Sequence, residues 1–331
     1  MVPHETTGIN MSDIPHLWVV VPAFNESESL PLVIPEVSKA AAEIDPAACV
    51  LVVDDGSTDG TAKIVTDLAE THTNVALNRL GANKGKAAAL KAGFGAAIEA
   101  GATVIAMMDA DGQDDPSELP RLVSHALGPG AGLVTGARTI RNDRFIKRNT
   151  SKLYNWTTSK LSGVPGRDFN SGFKVMRAEV AQDVAPLLYG ELHRYLTVMA
   201  HWLGYRVDEE TVQHHPRIAG VSKYGMARFW RGFLDLLTIR FLMSYEHRPS
   251  HLFSGFGFGA MFTGGLMLCY LALIKVAYGV EISDRPLLPL GVLLVLAGLQ
   301  LILFGLLAEM VVYSRNRLSS ESFAPGRRLG D

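Results

Sequence analysis

From Leu17 onward, short apolar runs alternate with longer amphipathic stretches, the pattern of βαβ units around a mostly parallel sheet. "LWVVVPAFNE" predicts a strand ending in a loop, and "SLPLVIPEVSKAAAEI" has helical periodicity with prolines near its start. "CVLVVDDGSTDGTAKIVTDLAE" reads as strand, turn and helix, with Ser57, Thr58 and Asp59 supplying cap chemistry. "NVALNRLGANKGKAAALKAGFGAAIEAG" predicts a short strand, a Gly/Lys turn and an Ala-rich helix. "TVIAMMDADGQDD", the helix "ELPRLVSHAL" and the strand "AGLVTGART" follow. Each polar cluster falls just after a strand. Ligands of open α/β sheets bind outside the carboxyl ends of the strands, so these loops are expected to converge on one crevice.

Further along, the pattern changes. Residues 141 to 167 carry seven Arg or Lys interleaved with Phe145, Leu153, Tyr154, Trp156 and Leu161. Residues 223 to 248 place aromatic and apolar side chains at helical spacing beside Arg228, Arg231 and Arg240, as in a helix lying in a membrane interface. Residues 252 to 274 and 287 to 308 then contain no charged side chain, and each tract exceeds the roughly 20 residues needed to span a bilayer. They predict two transmembrane helices, about 252–274 and 287–311. The tail after the second carries Arg315, Arg317, Arg327 and Arg328, which the positive-inside rule puts in the cytoplasm. Two crossings bring the front of the chain to the same side.

Composition adds less. The chain of 331 residues has 31 basic and 33 acidic side chains, for a net charge of -2, which argues against nucleic acid as a partner. Hydrophobic residues make up 48%, concentrated in the last third. Cys49 and Cys269 are the only cysteines, so no disulfide framework is expected. "MVPHETTGINMSDIPH" lacks the cationic and apolar regions of a signal peptide, and an irregular arm is expected over 1–16.

Two strand ends carry candidate chemistry. In "MDADGQDDP", Asp109, Asp111 and Gln113 recur at every second position, which turns all three to one side of an extended segment. Two carboxylates and an amide oxygen are hard donors suited to Mg²⁺ or Mn²⁺, ions that keep open positions for phosphate oxygens. Asp114 and Asp115 are expected to begin the helix near Pro116. In "VVDDGSTDGT", Asp54 and Asp55 can accept hydrogen bonds from a ribose or a base, beside a turn at Gly56.

"VVVPAFNE", "VVDDGSTDGT", "NKGKAAALKAG", "MDADGQDDP", "GART", "DFNSGFKVMR" and "RIAGVSKYG", in this order, resemble inverting family 2 glycosyltransferases of the GT-A fold. The branch they resemble is that of the dolichyl- or polyprenyl-phosphate hexose synthases, including GtrB-like bacterial enzymes with two C-terminal transmembrane helices. The resemblance runs from about residue 17 to 314. It implies that Pro22, Ala23, Phe24, Asn25, Glu26, Asp54 and Asp55 bind the nucleoside of a nucleotide-sugar donor, and that Asp109, Asp111 and Gln113 form the metal and diphosphate motif, with Asp111 catalytic. Lys84 and Lys86 lie in the family's Gly-rich loop, and Arg217, Ser222 and Lys223 match the element that reaches the donor diphosphate. Arg138, Arg148 and Ser151 correspond to the site for the acceptor's phosphate. Asp168 falls on the position assigned as catalytic base, and either orients the acceptor, binds a sugar hydroxyl or removes a proton. His193, His214 and His215 are candidates to touch sugar or phosphate.

The expected architecture is an α/β GT-A domain over 17–222, interface helices over 223–249, two transmembrane helices over 250–314 and a cytoplasmic basic tail over 315–331. The expected function is transfer of a hexose from a UDP-glucose-like or GDP-mannose-like donor to polyprenyl phosphate, with Mg²⁺ or Mn²⁺. It would take place at the cytoplasmic face of the inner membrane, and related enzymes suggest a homo-oligomer, tetramer or dimer. Rival readings are a polysaccharide synthase, a protein glycosyltransferase and a non-enzymatic membrane interaction protein. The last gives Asp109, Asp111 and Gln113 no purpose.

Overall fold

A computed structural model describes residues 16–138, 155–160, 162–164, 166–216, 238, 249–279, 281–282 and 285–322. The chain divides into two compact units, Met1–Leu237 and Thr238–Asp331.

In the first unit the strands are β1 (Leu17–Ala23), β2 (Cys49–Asp54), β3 (Val75–Arg79), β4 (Val104–Met107), β5 (Leu133–Arg138), β6 (Lys174–Arg177) and β7 (Val207–Val212). They form a seven-stranded sheet in the order β3-β2-β1-β4-β6-β5-β7. All neighbours are parallel except β6, which runs against both β4 and β5. The helices are α1 (Leu30–Ile44), α2 (Thr61–Thr71), α3 (Lys86–Glu99), α4 (Leu119–Leu127), α5 (Ala178–Val184) and α6 (Leu196–Trp202). The core lies between sheet and helices. Val19, Val21, Val50, Val52 and Val104 pack with Ile34 and Val37 of α1 and Leu122 of α4. The central strands are apolar on both faces because helices cover both.

Register determines what meets at the sheet's edge. Ala23 pairs with Asp54 and Val20 with Met107, so the loops leaving β1, β2 and β4 emerge at the same end. The strand order reverses around β1, which makes the β1/β4 boundary the switch point where α/β sheets open a crevice. Antiparallel β6 starts at that same end: Lys174 is in register with Met107 of β4 and Thr135 of β5. The loop 168–173 that feeds β6 is thereby brought beside the loop that leaves β4.

Two of these strands were not legible as strands. β6 is four residues long and holds a fully buried lysine, and β7, "VDEETV", is an edge strand with mostly half-buried positions. The acidic loop also divides differently from expectation. Asp115 caps the turn Pro116–Glu118 by accepting from Ser117 N at 2.9 Å. Asp114 instead folds back to accept from Asp109 N at 3.2 Å. After β2, the N-cap of α2 is Gly60, with no side-chain cap bond; Asp59 before it accepts from Thr61 N at 2.9 Å, while Ser57 and Thr58 tie to Asn25.

The second unit holds α7 (Pro249–Tyr278) and α8 (Leu287–Ser322), packed antiparallel. Their stretches Ser250–Tyr278 and Leu287–Val312 have mean hydropathies of 1.8 and 2.6 and are long and apolar enough to cross a membrane. Phe256, Phe258, Phe262, Leu293 and Phe304 are exposed, the reverse of a soluble core. Small residues seven apart line the contact. A Cβ on Gly257 would meet Gly298 O at 2.7 Å, and one on Gly264 would meet Gly291 O at 2.7 Å. With no apolar driving force between helices in lipid, such close backbone approach is what holds a pair together.

Candidate active site

An open cavity of about 210 Å³ lies at the β1/β4 switch point, lined by Pro22, Ala23, Phe24 and Glu26 after β1, Asp55 after β2, Lys86 and Ala89 of α3, and Asp109, Ala110 and Asp111 after β4. The loops are knitted by side chains that do not line it. Asn25 adopts a left-handed backbone, φ 55, which asparagine tolerates better than most residues, and accepts from Thr58 N at 2.9 Å. Asn25 N in turn donates to Ser57 Oγ at 2.9 Å. The bend presents Phe24, 42% exposed, as a ring on which a base can stack.

The two aspartates after β2 have separate tasks. Asp54 is fully buried, accepts from Ser57 N at 2.9 Å and pairs with Arg79 at 3.3 Å. Asp55 reaches the cavity, and its two oxygens accept from Lys84 N and Gly85 N, each at 2.8 Å, which fixes the turn that starts α3. The Lys84 side chain is exposed outside the cavity lining; Lys86 lies inside it and pairs with Asp109 Oδ1. Burial pushes the Asp109 carboxyl up, but Lys86, aided by Lys174, outweighs this, so its pKa falls below the ordinary value.

Asp111 is buried, and its Oδ1 accepts from Gln113 N at 3.1 Å. Gln113 is not on the cavity wall; its side-chain amide donates to His215 O at 3.4 Å. Among the described residues no three His, Cys, Asp or Glu are grouped to hold a metal ion. Asp109 and Asp111 nonetheless face one cavity, and a cation, Lys86, already sits on the first of them. Two carboxylates that leave the remaining positions to ligand phosphate suit a hard divalent ion, so the donor set fits one.

Across the cavity's strand ends, Arg138 at the end of β5 clamps Asp168: Nε donates to Oδ2 at 2.5 Å and an Nη to Oδ1 at 2.9 Å. Asp168 is 3% exposed. Arg148, Ser151, Arg217, Ser222 and Lys223 lie outside the described residues. The segment leading toward Arg217 docks on the acidic loop, with His215 N donating to Gln113 O at 2.8 Å, the His215 ring 3.2 Å from Asp115, and His214 3.7 Å from Asp114.

Sequence reasoning left out two residues that join the two sides. Lys174, at the start of β6, is fully buried and donates to the carbonyls of Ser171 and Phe169. Burial pushes its ammonium down to about 8 against the pull of Asp168 and Asp109. Gly172 backs onto Asp109, where a Cβ would lie 2.4 and 2.7 Å from the two carboxylate oxygens. A lysine inside an apolar run and a Ser-Gly pair were the available signals. His193 has a buried Nδ1 without a hydrogen-bond partner, and burial with Lys86 nearby pushes it down to about 3, so it is neutral.

Residues 18–185 match the model for "Glycosyl transferase family 2". The chain is 36% identical over 302 residues, 89% of its own length and 87% of the relative's, to a dodecaprenyl-phosphate galacturonate synthase from Rhizobium johnstonii. The chain belongs to glycosyl transferase family 2. It is also 31% identical over 308 residues, 92% and 90% of the two lengths, to an undecaprenyl-phosphate 4-deoxy-4-formamido-L-arabinose transferase from Aeromonas hydrophila. Its GT-A fold is shared with a mannosyltransferase from Pyrobaculum calidifontis solved with GDP-Man and Mn²⁺, at a TM-score of 0.51 and 18% identity over 96% of this chain and 78% of that one. Glucosyl-3-phosphoglycerate synthase from Mycobacterium tuberculosis, solved with Mn²⁺, UDP and phosphoglyceric acid, aligns with a TM-score of 0.53 and 18% identity over 70% and 83% of the two chains. For this family 2 member, the crevice at the switch point is the candidate donor site.

Proposed function

We propose that this glycosyltransferase moves a sugar from a nucleotide-sugar to polyprenyl phosphate at the cytoplasmic face of a membrane, with inversion at the anomeric carbon. The observation that carries the reading is the convergence of Phe24, Asp55, Lys86, Asp109 and Asp111 on one cavity, in a chain similar over nearly its full length to two polyprenyl-phosphate sugar enzymes. Exposed apolar α7 and α8 support anchoring in the bilayer, where a polyprenyl acceptor resides, and the arginines after α8's apolar stretch favour a cytoplasmic catalytic unit.

Phe24 and Asp55 bind the nucleoside, and Arg217 and Lys223 reach the diphosphate. Asp109 and Asp111 would hold Mg²⁺ or Mn²⁺, which when bound offsets charge on the departing diphosphate. The acceptor's phosphate oxygen attacks the anomeric carbon in line, the bond from that carbon to the diphosphate breaks, and the nucleoside diphosphate departs. An acceptor phosphate arrives ionised, so no strong base is needed. Asp168, held in the fork of Arg138, acts by fixing the guanidinium that receives the phosphate and not by taking a proton.

The test is sugar transfer to polyprenyl phosphate in detergent, with UDP- and GDP-sugars. Activity should be lost with EDTA and return with Mn²⁺ or Mg²⁺; full activity in EDTA would remove the metal from the reading.

A further inference from the structure

Lys86 opens α3 on the cavity wall and holds Asp109 through Oδ1, with the two side chains 30% and 34% exposed, so the pair sits at the mouth of the site. Asp109 is bounded on one side. Gly172 stands directly behind its carboxylate, and its backbone N donates to Asp114 at 3.2 Å. A divalent ion arriving at Asp109 and Asp111 meets Lys86 already on Asp109 Oδ1. The ammonium is then left beside a second positive charge and has to move to an anion. Within the cavity Asp55 already accepts from two backbone amides, and Glu26 accepts from Ser29 Oγ at 2.7 Å. A fresh anion comes with the donor.

We propose that Lys86 is an exchange cation: it occupies Asp109 while the cavity is empty, yields it to the divalent ion, and passes to an anionic group of the donor, the diphosphate or the carboxylate of an acidic sugar. Metal and donor would then bind cooperatively, each weak without the other. The inference rests on the function proposed above.

The experiment is Mn²⁺ titration of the full chain in detergent, read by the electron paramagnetic resonance signal of free Mn²⁺, with and without UDP, UDP-glucose or UDP-glucuronate. Lys86→Met should tighten nucleotide-free Mn²⁺ binding by about tenfold and reduce the nucleotide's effect on Mn²⁺ affinity by a similar factor. Lys86→Gln serves as a second neutral variant, and Lys86→Arg, which keeps a cation, should retain the coupling. A loss of coupling equal for all three nucleotides identifies the diphosphate as the receiving anion; a loss confined to UDP-glucuronate identifies the sugar carboxylate. Unchanged Mn²⁺ affinity and unchanged coupling in both neutral variants would overturn the proposal. Failure of the wild-type chain to bind Mn²⁺ even with nucleotide present would instead remove the functional reading beneath it.

Discussion

Two carboxylates stand at neighbouring strand ends, and the ion pairs they make with Lys86 and Arg138 are built differently. Asp109 meets a single lysine on a flexible stem, both partners about one-third exposed. Asp168 sits in a two-pronged guanidinium fork, with side chains 5% and 18% exposed. A point charge at the mouth of a cavity can be exchanged for another cation, whereas a buried fork fixes geometry. On the proposed function, the donor edge is thus arranged to change partners, and the acceptor edge to keep its own. Lys174 lies behind both, electrostatically coupled to each carboxylate and bonded to the loop between them.

The largest effect is expected where the exchange takes place. Asp111→Ala should lower transfer by roughly 10²–10³ or more, because a charge-stabilising group is lost at the leaving diphosphate. The thermal midpoint should be nearly unchanged, since the side chain serves the cavity and not the apolar core. An active Asp111→Ala enzyme would place the exchange elsewhere. Next comes the fixed pair: Arg138→Lys keeps the charge but not the fork, and kcat/KM for the lipid acceptor should fall by about 10² with Kd for the nucleotide little altered. Asp168→Asn should resemble it, and the double variant should lose much less than the sum of the two, as residues acting as one unit do. Additive losses would separate Asp168 from Arg138 and return it to the role of base.

This contrast was only half legible in the sequence. The donor edge follows from local pattern: apolar runs ending in "PAFNE", "DDGS" and "DADGQ" predict strands with their loops at one end, and Asp55, Asp109 and Asp111 meet there. What periodicity does not carry is which of two adjacent polar residues turns inward. Asp54 lies buried against Arg79 while Asp55 reaches the cavity, and Lys86, not Lys84, lines it. The acceptor edge depends on pairing distant in sequence. Antiparallel β6 is too short and too polar at Lys174 to announce itself, yet it brings the 168–173 loop to the end of β4. Gly172 illustrates the point, since its need to be glycine comes from a carboxylate far away in the chain.

That glycine supplies the next test, because it is where the two edges touch. Gly172→Ala places a methyl group against the Asp109 carboxylate, and overpacking of this kind costs about 1–3 kcal/mol, which lowers the rate by about fivefold to about a hundredfold where it falls on the barrier. The loss should appear in Mn²⁺-dependent activity and be partly recovered at high Mn²⁺. Unaltered kinetics would show that the acceptor loop does not hold the donor carboxylate in place.

The smallest effect concerns pH and again belongs to the donor edge. His193, electrostatically coupled to Lys86 and Asp109, has a folded pKa of about 3 against an ordinary value of 6.5. The unfolded chain therefore binds a proton that the folded chain refuses, so stability is full above pH 6.5 and declines as pH falls toward 3, by at most about 1.4 kcal/mol per pH unit. Asp109, whose pKa is also lowered, adds to the decline in more acidic solution. Lys174 acts in a different window: with a folded value of about 8 against 10.5, it costs stability as pH falls from 10.5 to 8 and changes nothing below. Melting curves should thus fall from pH 6.5 to 5, and His193→Gln should flatten this lower limb while leaving the upper one. A variant that kept the whole acid slope would shift its origin from His193 to the carboxylates, and with it the donor edge's sensitivity from the imidazole to Asp109.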